Sequence, residues 1–205
     1  MIVAVDGPTA SGKGTIAKAL AAHFGLPHLD TGLLYRAVGY QTLRNGGDPD
    51  SAADARVACD FADDLLAEPE LRSEATGGLA SRVSLHPAVR LALFDRQRDF
   101  ATQPGGAVLD GRDIGTVIAP EAEVKLFVTA SVEARAKRRF LEMTDAGRAV
   151  TFGDIVADLA ARDRRDRERS DAPLRAADDA IEIDTSDLKR EEAIAAAIAV
   201  VDARR

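Results

Sequence analysis

Short apolar runs alternate along this chain with longer stretches in which hydrophobic residues recur every three or four positions. Ile2–Val5 is the first run, and it breaks into Asp6-Gly7-Pro8, which predicts a buried strand ending in a loop. From Lys13 the period lengthens. Ile16, Leu20 and Phe24 share one helical face, and Gly25 stands at the C-cap position. Pro27–Leu29 predicts a second strand, and about Leu33–Leu43 a helix stopped by Asn45-Gly46-Gly47. Ala52–Leu66 predicts a further helix, closed by Glu68-Pro69, and Leu91–Phe100 another, before Gln103-Pro104-Gly105-Gly106. Three more short runs follow: Ala107–Leu109, Val124–Val128 and Ile181–Ile183, each leading into a polar turn. Glu191–Val201, rich in Ala, Ile and Val, predicts the final helix. Short strands that are apolar throughout and separated by helices are the pattern of a buried parallel sheet. With no internal repeat or low-complexity linker, the expectation is one α/β domain.

Length agrees with that expectation, since 205 residues suit one domain with room for inserted subdomains. Charge narrows the partners. Twenty-seven Lys and Arg against 34 Asp and Glu give −7, which argues against a general nucleic-acid binder. A single cysteine, Cys59, excludes an internal disulfide and a Cys-rich zinc site, and reads as a small packing residue. No apolar run approaches the ~20 residues that span a bilayer. The N-terminal residues lack the basic and long apolar regions of a signal peptide. The chain therefore reads as a soluble, cytoplasmic domain without membrane partners.

Chemistry enters at the first strand-to-helix junction. Gly7-Pro8-Thr9-Ala10-Ser11-Gly12-Lys13-Gly14-Thr15 fits G-x-x-x-x-G-K, with the hydroxyl residue one position later than in the simplest Walker A form. Gly7 and Gly12 allow the backbone to wrap phosphate oxygens, and the N–H groups converge as an anion nest at a helix N-terminus. Lys13 can reach the β/γ phosphates, and Thr15 can offer its hydroxyl to Mg²⁺. An ordinary Gly-rich turn is the plain alternative, but strand, loop and helix agree on nucleotide binding. A GTPase would need an Asn-Lys-x-Asp, and the only Asn is Asn45, followed by Gly. Asp110 is followed by Gly rather than Glu, which argues against a motor-type ATPase.

The acceptor side is written in three polar groups. Asp30-Thr31-Gly32 with Tyr35-Arg36 follows the second strand, at the carboxyl edge where such sheets bind ligands; a helix cap by Asp30 or Thr31 and a surface Arg36 are the structural alternatives. Asp110-Gly111-Arg112-Asp113 follows the third strand and reads as a site, against a self-neutralising turn. The run Ala161–Arg169 alternates Arg with Asp and Glu, and pairs such as Asp163–Arg167 suit a solvated helix face. Phase says more. Thr151-x-x-Asp154 forms a capping box, after which Ile155, Leu159, Arg162, Asp166 and Arg169 share one face. An apolar stripe turning into Arg, Asp and Arg predicts a helix that leaves the core for an anionic site. From Arg135 to Arg169, ten Lys and Arg oppose seven Asp and Glu, so positive charge gathers where a closing flap would meet phosphates.

Taken together, Gly7–Thr15 (GPTASGKGT), Leu29–Arg36 (LDTGLLYR), Val108–Thr116 (VLDGRDIGT) and Ala161–Leu174 (ARDRRDRERSDAPL) resemble the bacterial cytidylate kinases, a branch of the P-loop nucleoside monophosphate kinases. The likeness runs from about Ile2 to Ser186; the last two blocks are specific to that branch. It implies a three-layer P-loop fold on a five-stranded parallel sheet, with core 1–32, 104–132 and 170–205, a nucleotide-acceptor region at about 33–103 and a helical lid at about 133–169. It implies Mg²⁺-dependent transfer from ATP to CMP or dCMP by a monomer. By matching position, Thr31, Arg36 and Arg112 hold the acceptor phosphate; Ser81, Arg90 and Asp113 read cytosine; Arg162 and Asp166 hold the sugar; Arg165 and Arg169 reach phosphates from the lid. Lys13, Arg112, Arg165 and Arg169 form the catalytic set. Cytosine's exocyclic amine can donate to Asp113, whereas uracil presents a carbonyl there and leaves two acceptors unpaired, at about 1–3 kcal/mol.

Two departures from the family stand out. Thr31 replaces a frequent Ser and keeps the hydroxyl. More importantly, Cys59–Leu71 is too short and too helical to build the small antiparallel insert of many members, so a shortened acceptor subdomain is expected. Two other readings remain open at this level. One is a P-loop kinase for a small-molecule hydroxyl, such as shikimate kinase, with Asp30 as base. The other is a regulatory module that binds ATP and hydrolyses it poorly.

Overall fold

β1 (Ile2–Asp6) is the spine of the sheet, with Val3, Ala4 and Val5 fully buried. It runs parallel to β3 (Ala107–Gly111) on one side and β4 (Val124–Thr129) on the other. β4 pairs in parallel with β5 (Ile181–Asp184), and β2 (His28–Asp30) lies outside β3, giving the order β2-β3-β1-β4-β5. In-register parallel partners share a face. Val3, Val5, Val108, Leu126, Val128 and Ile183 therefore form one apolar layer, covered by α1 (Lys13–Phe24) and α8 (Arg190–Asp202). Asp6 alternates to the opposite face. The computed structural model describes residues 1–204.

α1 ends where the sequence predicts, with Gly25 at φ 65° donating its N–H to Ala21. Two further helices follow β4. α6 (Val132–Asp145) is capped by Ser131, whose Oγ accepts from the Ala134 N–H at 3.1 Å. α7 (Phe152–Glu168) is capped by Thr151, which accepts from the Asp154 N–H at 3.1 Å. Ala136, Met143, Ile155 and Leu159 pack these two helices together. In α6, Val132, Ala136, Phe140 and Met143 recur on one face, a helical stripe in a mostly charged segment.

Contacts divide the chain into two units, one comprising Met1–His28 and the chain from Ala101 onward, the other Leu29–Phe100. The second unit is helical: α2 (Thr31–Arg44), α3 (Ala52–Val57), α4 (Glu74–Val83) and most of α5 (Pro87–Thr102). Leu34, Val38, Leu71, Val83, Val89 and Leu93 form its core. α2 and α4 approach closely at Gly39, where a Cβ would stand 2.6 Å from the Cβ of Leu79.

The predicted helix over Ala52–Leu66 is corrected to α3 alone, followed by 3₁₀ turns at Asp63–Ala67 and Pro69–Arg72. Phe61 and Leu65 enter the core, and Arg96 of α5 binds Asp63 at 2.7 Å while covering the Phe61 ring. Those tertiary ties override the weak helix preference of an Asp-rich stretch. α4 has no counterpart among the predicted elements, and α5 begins at Pro87 rather than Leu91, using proline at the helix start. No strand forms between residues 31 and 106, so the segment expected to be too short for an antiparallel insert is built as turns.

Candidate active site

Everything at the phosphate loop follows from its two tight turns. A Cβ on Gly7 would lie 2.0 Å from the Val128 carbonyl oxygen, so only glycine lets the loop leave β1 against β4. Ala10 at φ 62° and Gly12 at φ 90° place left-handed residues among right-handed ones, the backbone alternation that gathers N–H groups into an anion nest. Lys13 folds over the loop, its Nζ donating to the Pro8 carbonyl at 3.3 Å. Thr15 sits in the first turn of α1. Nearby, Asp110 of β3 is buried, and its Oδ2 lies 3.5 Å from where a Cβ on Gly14 would be. The other oxygen, Oδ1, is 2.7 Å from His28 Nε2.

Arg112, just beyond β3, joins three predicted groups. Its Nη2 donates to Thr9 Oγ1 at 2.6 Å, and its Nε donates to Asp166 Oδ2 at 2.8 Å. Both carboxylates of the Asp110-Arg112-Asp113 turn reach beyond it: Asp110 to His28 at 2.7 Å, and Asp113 to Arg169 Nη2 at 3.4 Å. The predicted face of α7 holds as well, since Ile155, Leu159, Arg162 and Asp166 are all buried, with Arg169 at the C-cap. Arg162 pairs with Asp158 one turn back at 3.1 Å, and Arg165 is half-buried on the same helix.

Asp163 corrects the expected surface pair with Arg167. It is 5% exposed and receives both Nη atoms of Arg135, at 3.0 and 2.5 Å. Arg135, 2% exposed, also donates to the Thr9 carbonyl at 3.1 Å and to the Ala130 carbonyl at 2.9 Å. One guanidinium thus ties α6, α7 and the phosphate loop together. Asp163 shares a run with solvated charges, so only the three-dimensional path of α6 distinguishes it.

Two further groups escape the sequence reading. Asp6, at the end of β1, accepts from the Ile114 N–H at 2.9 Å and the Gly115 N–H at 2.8 Å. Those amides open a wide π-type turn at Ile114–Ile118, with Ile118 N–H to Asp113 O at 3.2 Å and Ala119 N–H to Ile114 O at 2.7 Å. Asp6 thereby fixes the backbone directly after Arg112-Asp113. Burial pushes its carboxyl up to about 7, opposing the lowering by the two amides. Thr185, beyond β5, places its hydroxyl 2.9 Å from the Ser11 carbonyl and 3.2 Å from the Thr129 carbonyl. Arg138 of α6 binds both the hydroxyl and the carbonyl of Thr185. An acidic residue ending a strand, and a hydroxyl after the last strand, are the signals available for these two.

In the second unit, Asp30 is the N-cap of α2, its Oδ1 accepting from the Leu33 N–H at 3.3 Å, and Thr31 is buried in the first turn. Arg36, half-buried on α2, donates through Nη1 to the Leu71 carbonyl at 2.8 Å and the Ser73 carbonyl at 2.7 Å. Arg90 of α5 is buried, 3.4 Å from the Tyr35 hydroxyl, and Ser81 lies near the end of α4.

The family model described as cytidylate kinase matches residues 3–203. This chain belongs to the cytidylate kinase family. It is 57% identical over 203 residues to the cytidylate kinase of Cereibacter sphaeroides, covering 99% of this chain and 96% of that protein. To the cytidylate kinase of Xanthobacter autotrophicus it is 55% identical over 206 residues, covering 100% of this chain and 99% of the relative. Solved structures bear on the fold alone. An uncharacterized protein from Eubacterium ventriosum matches with TM-score 0.57 at 19% identity, over 99% of this chain and 98% of that one. A sugar kinase from Janibacter, in unliganded form, matches with TM-score 0.50 at 15% identity, over 98% and 93%. For a cytidylate kinase, the five-stranded sheet and the phosphate loop at the end of β1 are the expected P-loop arrangement. No helix among the described residues is long and apolar enough to cross a membrane.

Proposed function

We propose that this cytidylate kinase transfers the γ-phosphate of ATP directly to the phosphate of CMP or dCMP. The observation that carries the reading is the tie from Thr9 through Arg112 to Asp166, which joins the donor loop, the residue after β3 and the basic helix α7 in one network. The acceptor is a phosphate monoester with a second pKa of ~6, so it is mostly dianionic at neutral pH and needs no general base. What it needs is positive charge that brings two anions together.

Lys13 and the loop amides hold the donor phosphates; Gly7–Gly12 lets the chain approach them. Arg112, Arg165 and Arg169 supply the remaining charge on the reacting phosphates, with Thr31 and Arg36 holding the acceptor's. Ser81, Arg90 and Asp113 read the base, and Arg162 and Asp166 hold the sugar. Residues 133–169 act as a lid that excludes water, and about 33–103 as the acceptor region. Asp30, committed as a helix cap, does not serve as a base. The chain works as a monomer in the cytoplasm.

The donor set suits magnesium. The Thr15 hydroxyl, in the first turn of α1, and the buried Asp110 carboxylate beside Gly14 would hold it as hard oxygen groups, and Mg²⁺ usually takes one or two such groups beside waters and phosphates. When bound, it neutralises charge across the β- and γ-phosphates.

The test is ADP release from Mg-ATP with CMP, dCMP, UMP, AMP, shikimate or no acceptor. Stimulation by CMP and dCMP alone is expected. Equal rates with UMP would undo the role of Asp113, and no stimulation by any acceptor would leave an ATP-binding regulatory module.

A further inference from the structure

Resting on the reading of Arg36 as a ligand of the acceptor phosphate, we propose that Leu71–Gly77 is the device that aims Arg36, and that Gly77 is a positioning residue for acceptor binding. Three observations meet there. The two hydrogens of Arg36 Nη1 go to two main-chain carbonyls, Leu71 at 2.8 Å and Ser73 at 2.7 Å. Both carbonyls belong to the junction between the Pro69–Arg72 turn and α4, where the chain has turns in place of an antiparallel insert. The guanidinium then lies against Gly77, where a Cβ would stand 2.8 Å from Nη2, 3.2 Å from Cζ and 3.3 Å from Nη1.

The junction is itself fixed. Ser73 Oγ accepts from the Thr76 N–H at 3.2 Å, and Thr76 Oγ1 donates to the Glu70 carbonyl at 2.9 Å. Leu71 is fully buried and anchors the turn in the core of the second unit. A guanidinium is planar, so fixing Nη1 by two bonds fixes the direction of its other N–H groups. Phosphate recognition by arginine depends on that direction.

Gly77 is a helical residue without a positive φ, so its lack of a side chain serves space rather than backbone conformation. The crowded neighbour is the far end of a long side chain, which can swing away at little cost to the fold. Alanine favours helix over glycine. Gly77→Ala therefore separates stability from binding: the helix gains while the arginine is pushed off its carbonyls.

The experiment compares Gly77→Ala, Arg36→Ala and the double variant in the full chain. Steady-state kinetics are run with CMP and with ATP, CMP binding is followed by calorimetry, and melting is recorded. Gly77→Ala is expected to stay folded and to melt no lower than Arg36→Ala, and to raise the KM for CMP about tenfold, on the scale of one charged hydrogen bond, with little change in the KM for ATP. In the Arg36→Ala background it adds nothing further. A wild-type CMP KM for Gly77→Ala, or an effect fully additive with Arg36→Ala, overturns the proposal. An Arg36→Ala enzyme with unchanged CMP affinity instead removes the role of Arg36 itself, and the positioning role with it. Arg36→Lys gives a second reading that does not depend on Gly77. A single ammonium cannot keep both carbonyl ties and a planar fork, so it is expected to lose CMP affinity nearly as far as alanine; full retention counts against aiming.

Discussion

Two arginines, Arg112 of the sheet-based unit and Arg36 of the helical unit, show different ties. Arg112 reaches two side chains, Thr9 through Nη2 and Asp166 of α7 through Nε. In the helical unit, Arg36 is held through Nη1 by the carbonyls of Leu71 and Ser73. Either end of a tie between two side chains can leave by a rotamer change, whereas the carbonyls that receive Arg36 are fixed by the backbone and only the arginine end can leave.

The largest effect is expected at Arg135, which combines both kinds of tie, the Asp163 carboxylate and the carbonyls of Thr9 and Ala130. Arg135→Ala leaves Asp163 buried without its guanidinium, and a loss of about 3–5 kcal/mol in unfolding free energy is expected from urea titration. Arg112→Lys keeps a charge but cannot bind Thr9 and Asp166 at once; kcat/KM should fall roughly 10- to 100-fold, and near wild-type turnover would sink the role given to it.

A third handle is pH. Burial raises the Asp6 carboxyl to about 7 in the folded protein from 3.8 in the open chain. The folded state therefore takes up this proton more readily, and Asp6 makes stability fall as pH rises from about 4 to about 7. In Asp6→Asn that slope should flatten; unfolding midpoints that keep it would show it belongs to other groups. The smallest effect sharpens the contrast instead. Ser73→Ala removes the cap of α4 and should cost about 1 kcal/mol, but leaves the Ser73 carbonyl in place. The KM for CMP should stay within about twofold, because the carbonyl, not the hydroxyl, holds Arg36.

The same distinction explains what the sequence could reveal. Strands and the phosphate loop are local patterns of apolar runs and glycines, so β1, α1 and Gly25 at its end were legible. The face of α7 was legible because helical phase alone sets Arg162, Asp166 and Arg169 in line with Ile155 and Leu159. Asp163 lay one position off that face and read as solvated, since its partner comes from another helix 28 residues away. The helix drawn through Ala52–Leu66 failed for the same reason: Phe61 and Leu65 turn into a core completed by Val89 and Leu93 of α5, distant in sequence. Gly77 carried no signal at all, because space around a helical glycine is visible only once the neighbouring helix is in place.

The Thr185 hydroxyl has a bearing on biosynthesis. It closes on the Ser11 carbonyl across 174 positions of sequence. The nucleotide-binding signature leaves the ribosome well before β5, so its loop gains this fastening only after β5 has been made. A nascent chain halted before Thr185 would carry the whole signature and lack this brace, so competence to bind ATP is expected to arise late in translation.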